Sequence, residues 1–209
     1  MARRPARDDE RPHRPGDGAD WHEVFELGFG DHDGSIGGSV VVALQPHEGV
    51  ARFWAAIVGR DRPLVTVYDD ELPLPRDQTL ELRTSGLWVD VELEAPYEHV
   101  TVGLEAFGLV FDDPDAVLGV AHGDRLPVGI DLEWESDPSA VRPQPWGYDV
   151  LCRVHGDVLL GSSRVPLDGW GWRAHGWGSE AAAALVGVHG PDAAAERVTG
   201  ASDDVEVLG

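Results

Sequence analysis

The stretch Asp168-Gly169-Trp170-Gly171-Trp172-Arg173-Ala174-His175-Gly176-Trp177-Gly178 limits the fold more than any other part of the chain. These eleven residues hold three of the eight tryptophans, four glycines, an arginine and a histidine. A helix is disfavoured, because each glycine gives up backbone entropy on becoming helical. In a strand, successive side chains point to opposite faces. Arg173, His175 and Trp177 then share one face, and Asp168, Trp170 and Trp172 share the other. Glycine between large rings lets a neighbouring backbone or a ligand come close. Two readings stay open: an irregular strand whose indoles fill a core, or a pocket wall with a cation, a titratable ring and an aromatic shelf.

The rest of the chain fits a strand-rich surrounding. Trp21–Phe29, Ile36–Leu44, Val50–Val58, Leu64–Tyr68, Thr79–Arg83, Leu87–Leu93, His99–Phe111, Leu126–Glu135 and Tyr148–Leu160 read as strands. Asp31-His32-Asp33-Gly34 and Pro46-His47-Glu48-Gly49 are turns between them. Asp69–Gln78, Asp112–Gly123 and Asp137–Gly147 read as loops. About ten strands with little helical periodicity predict an all-β domain, barrel or sandwich, joined by antiparallel hairpins. Residues 1–20 are charged and Pro-rich and read as a disordered tail, residues 21–190 as the β domain, and 191–209 as a polar tail. Within the last segments, Glu180–Leu185 suits a short helix or a strand, and Val205–Leu208 an edge strand.

Charge excludes some functions. The formal net charge is -22, which repels phosphate backbones and anionic lipid, so no nucleic acid is expected as a partner. No apolar run is long enough for a membrane span, and no secretory signal precedes the domain. The single cysteine, Cys152, forms no internal disulfide and suits a cytoplasmic location. The chain has no lysine, hence no Schiff-base lysine and no Walker-type phosphate loop. The histidines show no metal-ligand spacing, so no metal is expected.

Polar residues on apolar faces are the candidates for chemistry. Glu105 shares a strand face with Phe107, Leu109 and Phe111. A carboxyl group there is either paired, with Arg173 or Arg153, or neutral and a potential proton donor. Asp131, Glu133 and Glu135 alternate with Ile130, Leu132 and Trp134, and read as a solvated face.

Several short motifs carry a resemblance. In order they are Gly34-Ser35-Ile36-Gly37-Gly38, Gln45-Pro46-His47-Glu48-Gly49, Leu104-Glu105-Ala106-Phe107, Asp131-Leu132-Glu133-Trp134-Glu135, Arg153-Val154-His155-Gly156 and the Gly-x-Arg-x-His-x-Trp-Gly of 171–178. Over Trp21 to Gly178 the chain resembles an actinobacterial family similar to hydroxyneurosporene synthase (carotenoid 1,2-hydratase) and related calycin, lipocalin-like proteins. The resemblance implies a lipocalin-like barrel or half-barrel with an apolar cavity, and Arg173, His175 and Trp177 on the site-defining strand. It implies no redox cofactor. Family members continue past the last Trp-Gly with Arg-Asp-Trp, whereas Ser179-Glu180-Ala181 follows here. If the missing part closes the cavity, the chain is an open, degenerate or homodimeric version.

Three functions follow. The first is binding of an apolar small molecule (terpenoid, steroid, polyketide or acyl chain), with Arg173, Trp177, Trp170, Trp172, Phe107 and Trp134 as contacts. The second is a cofactor-free, hydratase-like lyase or a cyclase. Its acid would be Glu105 or Asp168, and its base or water-orienting group His175. Arg173 would tune the charge, and indole faces would stabilise a carbocation. The third is a structural protein with a filled core.

Overall fold

Short runs of alternating or continuous apolar character build eleven strands in the computed structural model, which describes residues 5–76, 79–111 and 124–179. They are β1 (His22–Asp31), β2 (Gly37–Gln45), β3 (Val50–Gly59), β4 (Arg62–Pro73), β5 (Leu82–Arg83), β6 (Leu87–Ala95), β7 (His99–Phe111), β8 (Asp124–Glu135), β9 (Arg142–Gln144), β10 (Gly147–Leu160) and β11 (Ser163–Gly178). All pairings are antiparallel, in the order β4-β3-β2-β1-β11-β10-β8-β7-β6-β5, with β9 beside β10.

The sheet closes on itself. Leu64, Val65 and Thr66 of β4 pair with Phe111, Val110 and Leu109 of β7. The ring therefore runs β4-β3-β2-β1-β11-β10-β8-β7 and back to β4, while β6 and β5 branch from the first half of β7. Closure pairs the edge that residues 64–66 of β4 would otherwise leave open. It occurs within one chain, so no second copy is needed to complete the ring.

Side chains fill the lumen. Phe25, Leu27 and Phe29 of β1, Val40 and Val42 of β2, and Val150, Cys152 and Val154 of β10 all belong to one buried cluster. Trp134 is fully buried there, and its indole N–H donates to the Gly28 carbonyl at 2.8 Å. That bond satisfies the polar end of a large ring inside an apolar core. A smaller cluster of Val24, Val41, Ala43, Trp54 and Ala174 lies on the opposite face of the same strands.

The Gly/Trp stretch is the second half of β11, and its glycines allow close approach as the sequence suggests. A Cβ on Gly171 would stand 2.1 Å from the Gly28 carbonyl oxygen, and one on Gly28 would stand 2.3 Å from the Trp172 ring.

Some boundaries differ from expectation. Residues Asp69 to Pro73 continue β4 instead of forming a loop, and β5 keeps only Leu82 and Arg83 of Thr79–Arg83. The expectations for Asp112–Gly123, Glu180–Leu185 and 191–209 fall outside the described residues. The largest correction concerns the N-terminal segment read as a disordered tail. Arg7–Glu10 forms a 3-10 turn, and Glu10 is 1% exposed. The segment crosses the end of the barrel where β1 and β10 begin and β11 finishes. Among the described residues, no helix is long and apolar enough to cross a membrane.

Candidate functional site

Strand alternation aims Arg173, His175 and Trp177 of β11 into the lidded end of the barrel. Arg173 is 4% exposed, His175 is 1% exposed and Trp177 is half-buried. Antiparallel register sets Phe25 of β1 and Tyr148 of β10 on either side of His175, and Glu23 of β1 beside Trp177. The N-terminal segment adds Glu10 and His13. Two polar clusters result.

In the first, the Arg173 guanidinium donates to Glu10 Oε1 and, at 2.9 Å, to Ser136 Oγ. Glu10 also accepts from the Tyr97 backbone N–H and, weakly, from the Tyr148 hydroxyl at 3.5 Å. The Tyr97 hydroxyl donates to the Ala6 carbonyl at 2.6 Å, and Ser136 Oγ donates to the Tyr97 carbonyl at 2.6 Å. Burial raises the pKa of Tyr97, Tyr148 and Cys152. The carboxylate of Glu10 adds to that effect. Burial opposes the charge on Arg173, but Glu10, Tyr148 and Cys152 together outweigh it and hold the guanidinium above its ordinary pKa.

In the second, one carboxylate oxygen serves two imidazoles. Glu23 Oε1 lies 2.7 Å from His13 Nδ1 and 2.8 Å from His175 Nε2. The His13 backbone N–H points between both Glu23 oxygens, at 3.0 Å from each. Burial disfavours the Glu23 charge, yet hydrogen bonds from the two histidines outweigh it and lower its pKa. Partial burial opposes the charge on His13, but Glu23 and Asp9 together outweigh it and hold His13 above its ordinary pKa. His175 is held below, because full burial outweighs the same carboxylate. One imidazole is therefore disposed to carry a proton and its neighbour to remain neutral. His13 stacks on Trp177 with centroids 4.2 Å apart, and His175 stacks on Phe25 at 3.9 Å.

A cleft of about 410 Å³ opens beside this cluster, lined by Pro5, Asp9, His13, Gln144, Pro145, Trp146, Gly147 and Trp177. It lies at the mouth of the barrel and not in the lumen.

The other sequence candidates lie elsewhere. Glu105 is exposed on the outer face of β7, and Phe107, on the same face, is 59% exposed. The buried position and the pairing with Arg173 or Arg153 expected for Glu105 do not form, because the face it shares with Phe107 points away from the core, and those arginines bond Glu10 and Asp168. Asp168 has a side chain 69% exposed and bonds Arg153 at 2.8 Å near the far end of β11. Trp170 is 48% exposed beneath the Arg153 guanidinium. Trp172 lies against Gly28 on the outer face, and Trp134 is a core residue. Of the expected catalytic trio, only His175 reaches the lidded end. Asp131 and Glu135 face solvent as expected, and Glu133 lies 2.9 Å from His99 Nε2.

Glu10, His13, Glu23, Tyr97, Ser136 and Tyr148 were not singled out by the sequence. Glu23 alone carried a signal, since it shares its strand face with Phe25, Leu27 and Phe29.

A family model described as a domain of unknown function, DUF7064, matches residues 6–186. The chain belongs to the DUF7064 family. No curated protein and no solved structure matches it. The DUF7064 match includes Glu10 and His13, so the segment that crosses the barrel end is part of the family domain and not an appendage to it.

Proposed function

We propose that this protein binds a small molecule with a flat or branched apolar portion in the cleft at the lidded end of the barrel. The observation that carries this reading is the junction of an open, aromatic-walled cleft with a buried acid–base cluster through His13 and Trp177. Binding sites of this kind combine apolar walls with a few fixed polar groups. Trp177 and Trp146 supply the walls, and His13 supplies the polar contact. The cleft replaces the lumen as the binding region, because core side chains occupy the lumen. The resemblance to carotenoid hydratase-like, lipocalin-like proteins agrees with an isoprenoid or acyl ligand.

The test is native mass spectrometry of the purified chain for a co-purifying lipid. Tryptophan quenching by a fatty acid and by a terpenoid alcohol provides a second readout. Trp177→Ala is expected to lose the ligand while keeping its circular dichroism spectrum. Unchanged binding by a folded Trp177→Ala protein overturns the assignment.

Acid–base chemistry on the bound molecule is a second reading, favoured by the opposite pKa directions of His13 and His175 around one carboxylate. In it the charged His13 gives its proton to an alkene carbon, water adds to the cation so formed, and the proton that water then loses returns to His13, which Glu23 orients. His13→Gln would then abolish turnover of an alkene ligand; unchanged turnover rules this reading out.

A further inference from the structure

The donors that meet at Glu23 come from both ends of the chain, which is why no ligand spacing is visible in the sequence. His13 lies on the N-terminal segment, Glu23 near the start of β1 and His175 near the end of β11. One donor atom from each lies within 4.8 Å of the other two. Two nitrogens and a carboxylate oxygen form a donor set used by divalent first-row metals, with further positions left for water or substrate.

We infer that His13 Nδ1, Glu23 Oε1 and His175 Nε2 form a binding site for one divalent transition-metal ion of the zinc class, open toward the cleft. The inference deepens the binding reading above, since it places the ion at the polar end of the same cleft.

Three further observations support it. Glu23 and His175 sit on adjacent paired strands, so two of the three donors are held by the barrel wall. Metal-bound imidazoles usually direct their second nitrogen at a carboxylate. The second nitrogen of His13, Nε2, faces the Asp9 carboxylate, with Oδ1 at an ion-pair distance of 3.7 Å. The net charge of -22 concentrates cations at the surface. The two nitrogens now stand at hydrogen-bond distance from Glu23 Oε1, 2.7 and 2.8 Å. Ligands at ~2.1 Å from a tetrahedral ion stand roughly 3.4 Å apart, so small side-chain rotations open the cluster enough. His13 is the partly exposed member, which gives the ion a route in.

The test uses the full-length chain, stripped with a chelator and titrated with zinc alone by calorimetry, with native mass spectrometry for stoichiometry. One zinc per chain is expected. His13→Ala removes a ligand from a partly exposed segment and is expected to abolish that uptake. Asp9→Asn keeps all three donors and should weaken binding by ~10–100-fold. His99→Ala, at a half-buried histidine that contacts Glu133 and none of the three donors, should bind as the unaltered chain does. Failure of the unaltered chain to take up zinc overturns the site, as does full retention by His13→Ala. Trp177→Phe separates the two readings, because it changes the cleft wall and keeps every donor. Loss of the small molecule with zinc retained supports both assignments. Small-molecule binding without any zinc uptake removes the metal site alone.

Discussion

Arg173 and Glu10 stand 163 positions apart in the chain and form a buried ion pair where the N-terminal segment crosses the barrel end. The two side chains are 5% and 2% exposed, so neither charge has water to fall back on. Removing one partner leaves the other uncompensated, which costs ~3–5 kcal/mol for buried pairs. Glu10→Gln should therefore lower the urea midpoint strongly, and its chevron should show faster unfolding. The double variant Glu10→Leu with Arg173→Met should recover most of the loss, since it removes both desolvated charges together. A Glu10→Gln protein within ~1 kcal/mol of the unaltered chain would mean that the pair does not fasten the segment.

Gly28 and Trp172 make a second coupled pair. A methyl group on Gly28 would stand 2.3 Å from three carbons of the Trp172 ring. The ring must move off the strand, and forced overpacking of this kind costs ~1–3 kcal/mol. Gly28→Ala should lower the melting temperature, and adding Trp172→Leu should restore part of it. Equal destabilisation by Gly28→Ala in both backgrounds would place the strain in the backbone and not at the indole.

The contrast between Glu23 and Glu105 shows what alternation can and cannot reveal. Both carboxylates share a strand face with three large apolar residues, so the same pattern applies to each. Glu23 is buried, whereas Glu105 is exposed. Period-two patterning separates the two faces of a strand but does not say which faces the lumen. Both faces of β1 and β11 carry buried apolar groups, which weakens the usual cue. The shared face of Arg173, His175 and Trp177 was legible because it depends on local geometry alone. Their partners were not, because Glu10 and His13 lie in a segment with too few apolar residues to signal packing. That segment is held by the Glu10–Arg173 ion pair, the His13 contacts to Glu23 and Trp177 and a few bonds to backbone atoms, and composition registers none of these.

Cys152 tests how tightly the barrel is closed. Its thiol is 1% exposed, and burial raises its pKa, with the Arg173 charge pulling only partly the other way. Thiolate, not thiol, reacts with alkylating reagents. Labelling of the native protein at mildly alkaline pH should be slow and should follow the population of opened molecules. It should therefore accelerate with urea in step with the global unfolding equilibrium. Rapid labelling without denaturant would show local opening between β10 and its neighbours.

The same direction of shift at three groups sets the alkaline limit of the fold. Cys152, Tyr97 and Tyr148 all hold their protons more tightly folded than unfolded, chiefly through burial and then, for the tyrosines, through the Glu10 carboxylate. Below the unfolded values both states are protonated, and the stabilisation is fully present. Above them the unfolded chain loses protons that the native protein keeps, so the unfolded state binds fewer protons and stability falls as pH rises. The decline should begin near the ordinary cysteine value of about 8.5 and steepen above about 10, where free tyrosine ionises. Tyr148→Phe removes one of the three groups and its weak bond to Glu10. Its urea midpoint should start lower at neutral pH and fall less steeply through the alkaline range. Parallel curves for the two proteins would show that Tyr148 does not contribute to the alkaline transition.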